Sequence, residues 1–223
     1  MLTIDLTGQV AVVSGGSRGI GAATVRMLVE GGARVVFSYR RERAAADQLV
    51  AASNGRAEAI ALDVRNPEAG AALVAAAVER FGRLDVAVAN AGIWNSHDLP
   101  IEKLDADQWD EFLEINLRSV YALARAAVTR MKAQACPDGR PRGRIIAIAS
   151  TAGQRGEAWH VHYGAAKAGV IGLVRGLATE VARDGILVNC VAPGWVETDM
   201  SRPAFGEHPE RVFGAIPLGR VGR

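Results

Sequence analysis

Apolar, β-branched runs alternate with helical stretches along nearly the whole chain, and no other feature constrains the fold as tightly. The runs fall at residues 10–14, 34–39, 57–62, 84–89, 144–149 and 186–192, with helical patterns between them at 19–30, 43–52, 68–81, 106–132 and 161–182. Strands that are apolar on both faces belong to a parallel sheet buried between two helix layers. Repeated right-handed β-α-β crossovers build an α/β, doubly wound sheet whose ligands bind at the carboxyl ends of the strands. With no linker, repeat or low-complexity segment in sight, residues 1–223 are expected to form a single domain.

Composition removes several function classes. The 223 residues are 49% hydrophobic and 22% charged, enough for one large core. A net charge of +2, with both signs interspersed, makes no case for a nucleic-acid partner. Neither a signal peptide nor an apolar run of bilayer length is expected, so the chain reads as cytoplasmic with no membrane partner. Two cysteines, Cys136 and Cys190, are too few for a disulfide scaffold. No metal is expected.

The chemistry-bearing residues gather where strands give way to helices. Ser14-Gly15-Gly16-Ser17-Arg18-Gly19-Ile20-Gly21 follows the first strand and opens the first helix. Glycines there let backbone N–H groups approach a pyrophosphate, and the helix N-terminus favours the negative charge. The second strand ends in Phe37-Ser38-Tyr39-Arg40-Arg41, with no acid before Glu42. An acid at that place suits the ribose hydroxyl of NAD, whereas arginine suits a 2′-phosphate, so Arg40 with Arg18 favours NADP(H). Asp63 and Val64 after the third strand are placed to meet adenine. Asn90-Ala91-Gly92 after the fourth leaves room for adenosine and ribose, although Asp and Asn are also ordinary turn residues. Asn116 stands mid-helix, where its propensity is poor.

Tyr163 and Lys167 are four residues apart, one above the other on a helix, and Ser150 ends the fifth strand thirteen residues earlier. A hydroxyl beside such a pair suits carbonyl chemistry, because an ammonium near a phenol favours the phenolate. A Tyr-x-x-x-Lys spacing by itself also occurs on helix surfaces.

Taken together and in order, these residues resemble the short-chain dehydrogenase/reductases, within them the 3-oxoacyl-acyl-carrier-protein reductase type. The resemblance spans residues 10–223 and includes the Gly loop (with Ser14 in the family's threonine position), Asp63, Asn90-Ala91-Gly92, Asn116, Ser150, Tyr163, Lys167, Pro193-Gly194 and Thr198. It implies a Rossmann fold with strand order 3-2-1-4-5-6 and reduction of a small-molecule carbonyl by NADPH. In that reaction Tyr163 would act as general acid, Lys167 would lower the tyrosine pKa and hold the nicotinamide ribose, and Ser150 would position the carbonyl. Asn116 would hold a water in a proton relay, and Pro193, Gly194, Val196 and Thr198 would pack on the nicotinamide. It also implies a homo-oligomer, tetramer or dimer, and a substrate carried on acyl carrier protein, for which Arg142, Arg155 and Arg183 are the candidate contacts. Oxidation of a secondary alcohol, sugar or polyol remains open, as does a catalytically silent nucleotide-binding scaffold, though an intact Asn116, Ser150, Tyr163 and Lys167 argue against the last.

The expected substrate walls are Ile93-Trp94-Asn95, the loop 153–162 with Trp159, and the segment bearing Trp195, Met200, Phe205 and Phe213. His160 and His162 are expected as wall or loop residues. Two departures from the family pattern stand out: a long segment at 135–141, expected as a mobile insertion, and the want of the final family helix and strand after Arg223.

Overall fold

The computed structural model describes residues 4–136, 141–207 and 209–222. The long segment's residues 137–140 lie outside them. Among the described residues, six parallel strands form one sheet in the order β3-β2-β1-β4-β5-β6: β1 Val10–Val13, β2 Arg34–Tyr39, β3 Ala57–Ala61, β4 Val86–Ala89, β5 Gly143–Ile148 and β6 Ile186–Val191. The order matches the expectation from the resemblance.

Alternation along the strands explains the two layers. In β1, Val10 and Val12 face one core while Ala11 and Val13 face the other, since successive side chains point to opposite sides. The first core is closed by α3 (Ala69–Phe81), α5 (Ser119–Ala133) and α7 (Val161–Val181), through Leu73, Leu123 and Val170 among others. The second is closed by α1 (Gly19–Glu30) and α2 (Arg43–Ala51), where Val25 and Leu49 meet Phe37. Full burial of a side chain such as Phe37 stabilises the fold by roughly 1.5–3 kcal/mol. β6 departs from the two-sided pattern: it is one of the two edge strands among the described residues, and Leu187 and Val191 are about half exposed.

The expected helix over 106–132 is interrupted. α4 (Ala106–Leu113) passes into a π-helical turn, Glu114–Arg118, before α5 begins. The wider turn puts Asn116 inward and fully buried, consistent with the tendency of π-bulges to sit at functional sites. Three short helices escape the periodicity reading: α6 (Thr151–Arg155), α8 (Arg202–Glu207) and α9 (Pro209–Gly214). Each spans five or six residues, too short for a 3.6-residue period to register. No helix among the described residues is long and apolar enough to cross a membrane.

Candidate active site

One cleft of about 730 Å³ runs along the carboxyl ends of the strands. The Gly loop forms one end. Gly15, Ser17, Arg18, Gly19, Ile20 and Gly21 all line it, and Gly15 and Gly19 have φ of 65° and 54°, a left-handed conformation that glycine adopts without strain. No side chain caps α1 at Arg18, so its first amides remain available to a ligand.

Two serines hold this loop. The Ser14 hydroxyl accepts from the amides of Asn90 and Ala91, both at 3.0 Å, and the Gly15 amide donates to Ser38 Oγ at 3.1 Å. Asn90 returns the tie, its Nδ2 donating to the carbonyls of Ser14 at 3.0 Å and Gly15 at 2.9 Å. The β4 turn and the Gly loop are thus one hydrogen-bonded unit. Ser14 faces this unit and is not among the residues lining the cleft, unlike Asn90, Ala91 and Gly92.

At the end of β2, Tyr39 and Arg40 line the cleft with Arg18. Glu42 lines it too, 3.8 Å from the Arg18 guanidinium, so an acid stands closer to the arginines than the strand ending suggested. Val64 lines the cleft but Asp63 does not. The Asp63 carboxylate is gripped by Arg65, with Nε at 3.0 and 3.1 Å from its two oxygens, and this pairing holds its pKa down to about 2.

The other end of the cleft carries Ser150, Tyr163, Lys167 and Asn116. Ser150 follows β5 and caps α6, accepting from the Ala152 amide at 3.1 Å. Tyr163 and Lys167 lie on the first turns of α7, with Lys167 Nζ 5.8 Å from the centre of the tyrosine ring. The ammonium donates to the Ile148 carbonyl at 2.8 Å. Asn116 is pinned to the backbone of Ile93, accepting from its amide at 3.0 Å and donating to its carbonyl at 3.1 Å. A side chain at Gly92 would strike Asn116 Oδ1, 2.7 Å away, and approach Lys167 Nζ at 3.4 Å, so glycine there lets those two groups share one wall.

The electrostatics correct one expectation. The Tyr163 phenol is pushed up to about 12 by burial, with the Glu157 carboxylate acting in the same direction and the nearby Ser150 hydroxyl opposing them. Lys167, with its Nζ 5.8 Å from the ring centre, does not outweigh that burial; desolvation brings its own pKa down to about 8, which still leaves it charged at neutral pH. The phenol is therefore held neutral. A neutral phenol beside a serine hydroxyl can donate hydrogen bonds to an oxygen lodged between them.

The segment after β6 closes the cleft. Pro193, Gly194, Trp195, Val196, Thr198 and Met200 line it, and a side chain at Gly19 would meet Thr198 Cγ2 at 3.2 Å, which fixes Thr198 against the Gly loop. Val196 bridges in parallel to Gly222, with Glu197 N donating to Gly222 O at 2.9 Å. Arg211 of α9 holds both oxygens of Asp98 at 2.8 Å, tying this segment to the loop after β4. Nothing in the sequence pattern signals that ion pair, which joins residues 113 positions apart.

Of the expected substrate walls, Ile93, Trp94, Trp159, Trp195 and Met200 line the cleft. Phe205 and Phe213 pack behind, with Phe205 set edge-on to Trp195 at 6.0 Å. Of the two histidines, expected as wall or loop residues, neither lines the cleft: His160 ends the loop before α7, as expected, while His162 lies in α7 itself. His160 is fully buried, its Nε2 2.9 Å from the Asn95 carbonyl, and His162 packs on Phe112 with ring centres 3.9 Å apart. Helix α7 begins at Val161, and its entry turns both rings into the protein. Glu157 is a cleft residue that the motif reading passed over, because a single acid in a loop carries no spacing signal.

Comparison with known proteins agrees with this architecture. Residues 9–208 match the family model of the short chain dehydrogenases. The chain belongs to the short chain dehydrogenase family, a class of oxidoreductases. It is 38% identical over 222 residues to a 3-oxoacyl-[acyl-carrier-protein] reductase, FabG, of Vibrio cholerae, covering 98% of this chain and 86% of that one. It is 36% identical over 223 residues to an acetoacetyl-CoA reductase of Synechocystis, covering 100% of this chain and 86% of the relative. Among solved structures, a dehydrogenase/reductase from Sinorhizobium meliloti superposes with a TM-score of 0.89 at 37% identity, over 99% of this chain and 85% of that one.

Proposed function

We propose that this protein reduces a carbonyl, a 3-oxoacyl thioester in the first instance, to the secondary alcohol with NADPH as hydride donor. The observation that carries the reading is the meeting of Ser150, Tyr163 and Lys167 in the same cleft as the Gly loop. The names of the relatives, a 3-oxoacyl-[acyl-carrier-protein] reductase and an acetoacetyl-CoA reductase, support the thioester.

The residues present fit a nicotinamide dinucleotide. The uncapped α1 N-terminus and the left-handed Gly15 and Gly19 leave amides and space for a pyrophosphate, while Arg18 and Arg40 suit a 2′-phosphate. Bound NADPH supplies the hydride. Ser150 donates a hydrogen bond to the carbonyl oxygen and Tyr163, neutral in the folded protein, gives that oxygen its proton. Lys167 would hold the ribose and, with its pKa near 8, can pass a proton toward the phenol at neutral pH. Asn116, fixed by Ile93, anchors a water beside Lys167. Val196 and Thr198, which line the cleft, would pack on the nicotinamide.

The chain works in the cytoplasm as a homo-oligomer, and the acyl group arrives on a carrier protein. For that partner, Arg155 is the better placed arginine because it lines the cleft, whereas Arg142 is spent on the carbonyls of Asp184 and Gln134.

The test is cofactor oxidation with an acetoacetyl thioester, offering NADPH and NADH separately. Turnover preferring NADPH and abolished in Tyr163→Phe is expected. Preference for NADH would refute the arginine pair as a phosphate site, and full activity in Tyr163→Phe would refute the acid.

A further inference from the structure

Glu157 sits in the loop between α6 and α7, in the substrate half of the cleft. Gly156 before it has φ 80°, which ends α6 and turns the next residue back over the site. About a quarter of the Glu157 side chain is accessible, and it lines the cleft together with Tyr163. The carboxyl is close enough to Tyr163 to act against its ionisation.

The carboxyl stands against a rigid aromatic group. His160, buried and bonded to the Asn95 carbonyl, brings Nδ1 within 3.7 Å of Glu157 Oε1. Trp94 stacks on the His160 ring at 5.0 Å, its indole N–H favours the ionised carboxyl, and Trp195 stands edge-on to Trp94 at 5.3 Å. Arg211, a cation whose charge reaches the carboxyl, is committed to Asp98.

A site for a plain acyl chain gains nothing from this arrangement. A carboxyl among tryptophans loses hydration, and burial raises its pKa accordingly. Its charge also works against the phenolate that Tyr163 becomes after giving up its proton. Both penalties are offset if the substrate brings its own hydrogen-bond donor to the carboxyl. A site built around a polar partner discriminates strongly against an analogue lacking it.

We propose that Glu157 is the specificity-determining residue of this site, and that it accepts a hydrogen bond from a hydroxyl or ammonium group carried by the substrate close to the reacting carbonyl. This rests on the carbonyl-reductase reading and puts a donor-bearing carbonyl compound in place of the plain 3-oxoacyl thioester as the preferred substrate. The substrate class is a polar ketone, an α-hydroxy or α-amino carbonyl compound, with the tryptophans covering its apolar part.

Three ketones that share one aromatic ring test it: acetophenone, 2-hydroxyacetophenone bearing the hydroxyl on the α-carbon, and 2-aminoacetophenone with an α-ammonium. The expected result is a kcat/KM at least about tenfold higher for one donor-bearing ketone than for acetophenone, a gap of roughly 1.4 kcal/mol. Glu157→Leu should bring that ratio to within about twofold of one. Glu157→Gln separates the two donors: a carboxamide oxygen still accepts from the alcohol, so that preference survives, whereas preference for the ammonium is lost with the charge. A wild-type ratio near one for both donors overturns the proposal, as does a ratio that survives Glu157→Leu. Efficient turnover of acetoacetyl thioester with all three ketones refused also overturns it. If neither ketones nor thioester are reduced, the reductase reading fails instead. The dissociation constants of the same ketones, read from tryptophan fluorescence with NADP⁺ present, then decide the role of Glu157 by the same ratios.

Discussion

Replacing Ser14 by alanine separates a residue that holds the cofactor from one that holds the loop around it. Its hydroxyl is buried and accepts from two backbone amides, Asn90 N and Ala91 N, each at 3.0 Å. Alanine leaves both donors without that partner, and an unsatisfied buried donor costs about 1–3 kcal/mol. Taking about 1.5 kcal/mol for each of the two donors, the loss for the pair is about 3 kcal/mol. For a chain of this size each kcal/mol moves Tm by about 2–4 °C, so Tm should fall by roughly 6–12 °C. Thermal unfolding followed by circular dichroism, with no cofactor added so that binding does not shift the transition, is the assay. Ser14→Thr keeps the acceptor and should stay near wild type. If Ser14→Ala unfolds within about 1 °C of wild type while NADPH affinity drops tenfold or more, the hydroxyl serves the ligand directly and the structural argument is refuted.

Gly70→Val should destabilise by more than about 2 kcal/mol in urea titration, because a Cβ there lies 2.6 Å from the Ala122 carbonyl and the Leu123 amide, backbone that cannot move aside; a smaller loss would mean that α3 and α5 can slide apart. Lys167 sets a pH dependence. Its folded pKa is lowered from 10.5 to about 8, so the charged form penalises the fold at low pH and the penalty is relieved as pH rises between those values. Tyr163, raised from 10.0 to about 12, opposes this only above about pH 10, where its contribution begins to be lost. Wild type should therefore gain on the order of 2 kcal/mol over Lys167→Met between pH 8 and 10, and parallel stability curves would refute it. Asp98→Ala releases the partly exposed Arg211 contact and should raise KM for the carbonyl substrate several-fold with little change in Tm; an unchanged KM would show that α9 does not cover the substrate.

The apolar strands and their intervening helices were legible in the chain because burial on both faces demands a composition that no other element needs, and the bounds 34–39 and 19–30 agree with β2 and α1 residue for residue. The candidate site residues that the structure brings together were legible where local spacing places them: Tyr163 and Lys167 one helical turn apart, and the glycines opening α1. The sequence by itself thus determined the sheet, the Gly loop and the Ser150, Tyr163 and Lys167 set. What it could not determine depends on contacts between distant segments and on solvation. Tertiary structure alone made Ser14 a strut for Asn90 and Ala91, bound Asp63 to Arg65, widened the helix at Asn116, and drew His160 inward. It also reversed the expected tyrosine shift. Spacing put the ammonium near the phenol, but desolvation of the phenol outweighs the help of that charge, and desolvation exists only when the chain has closed around them.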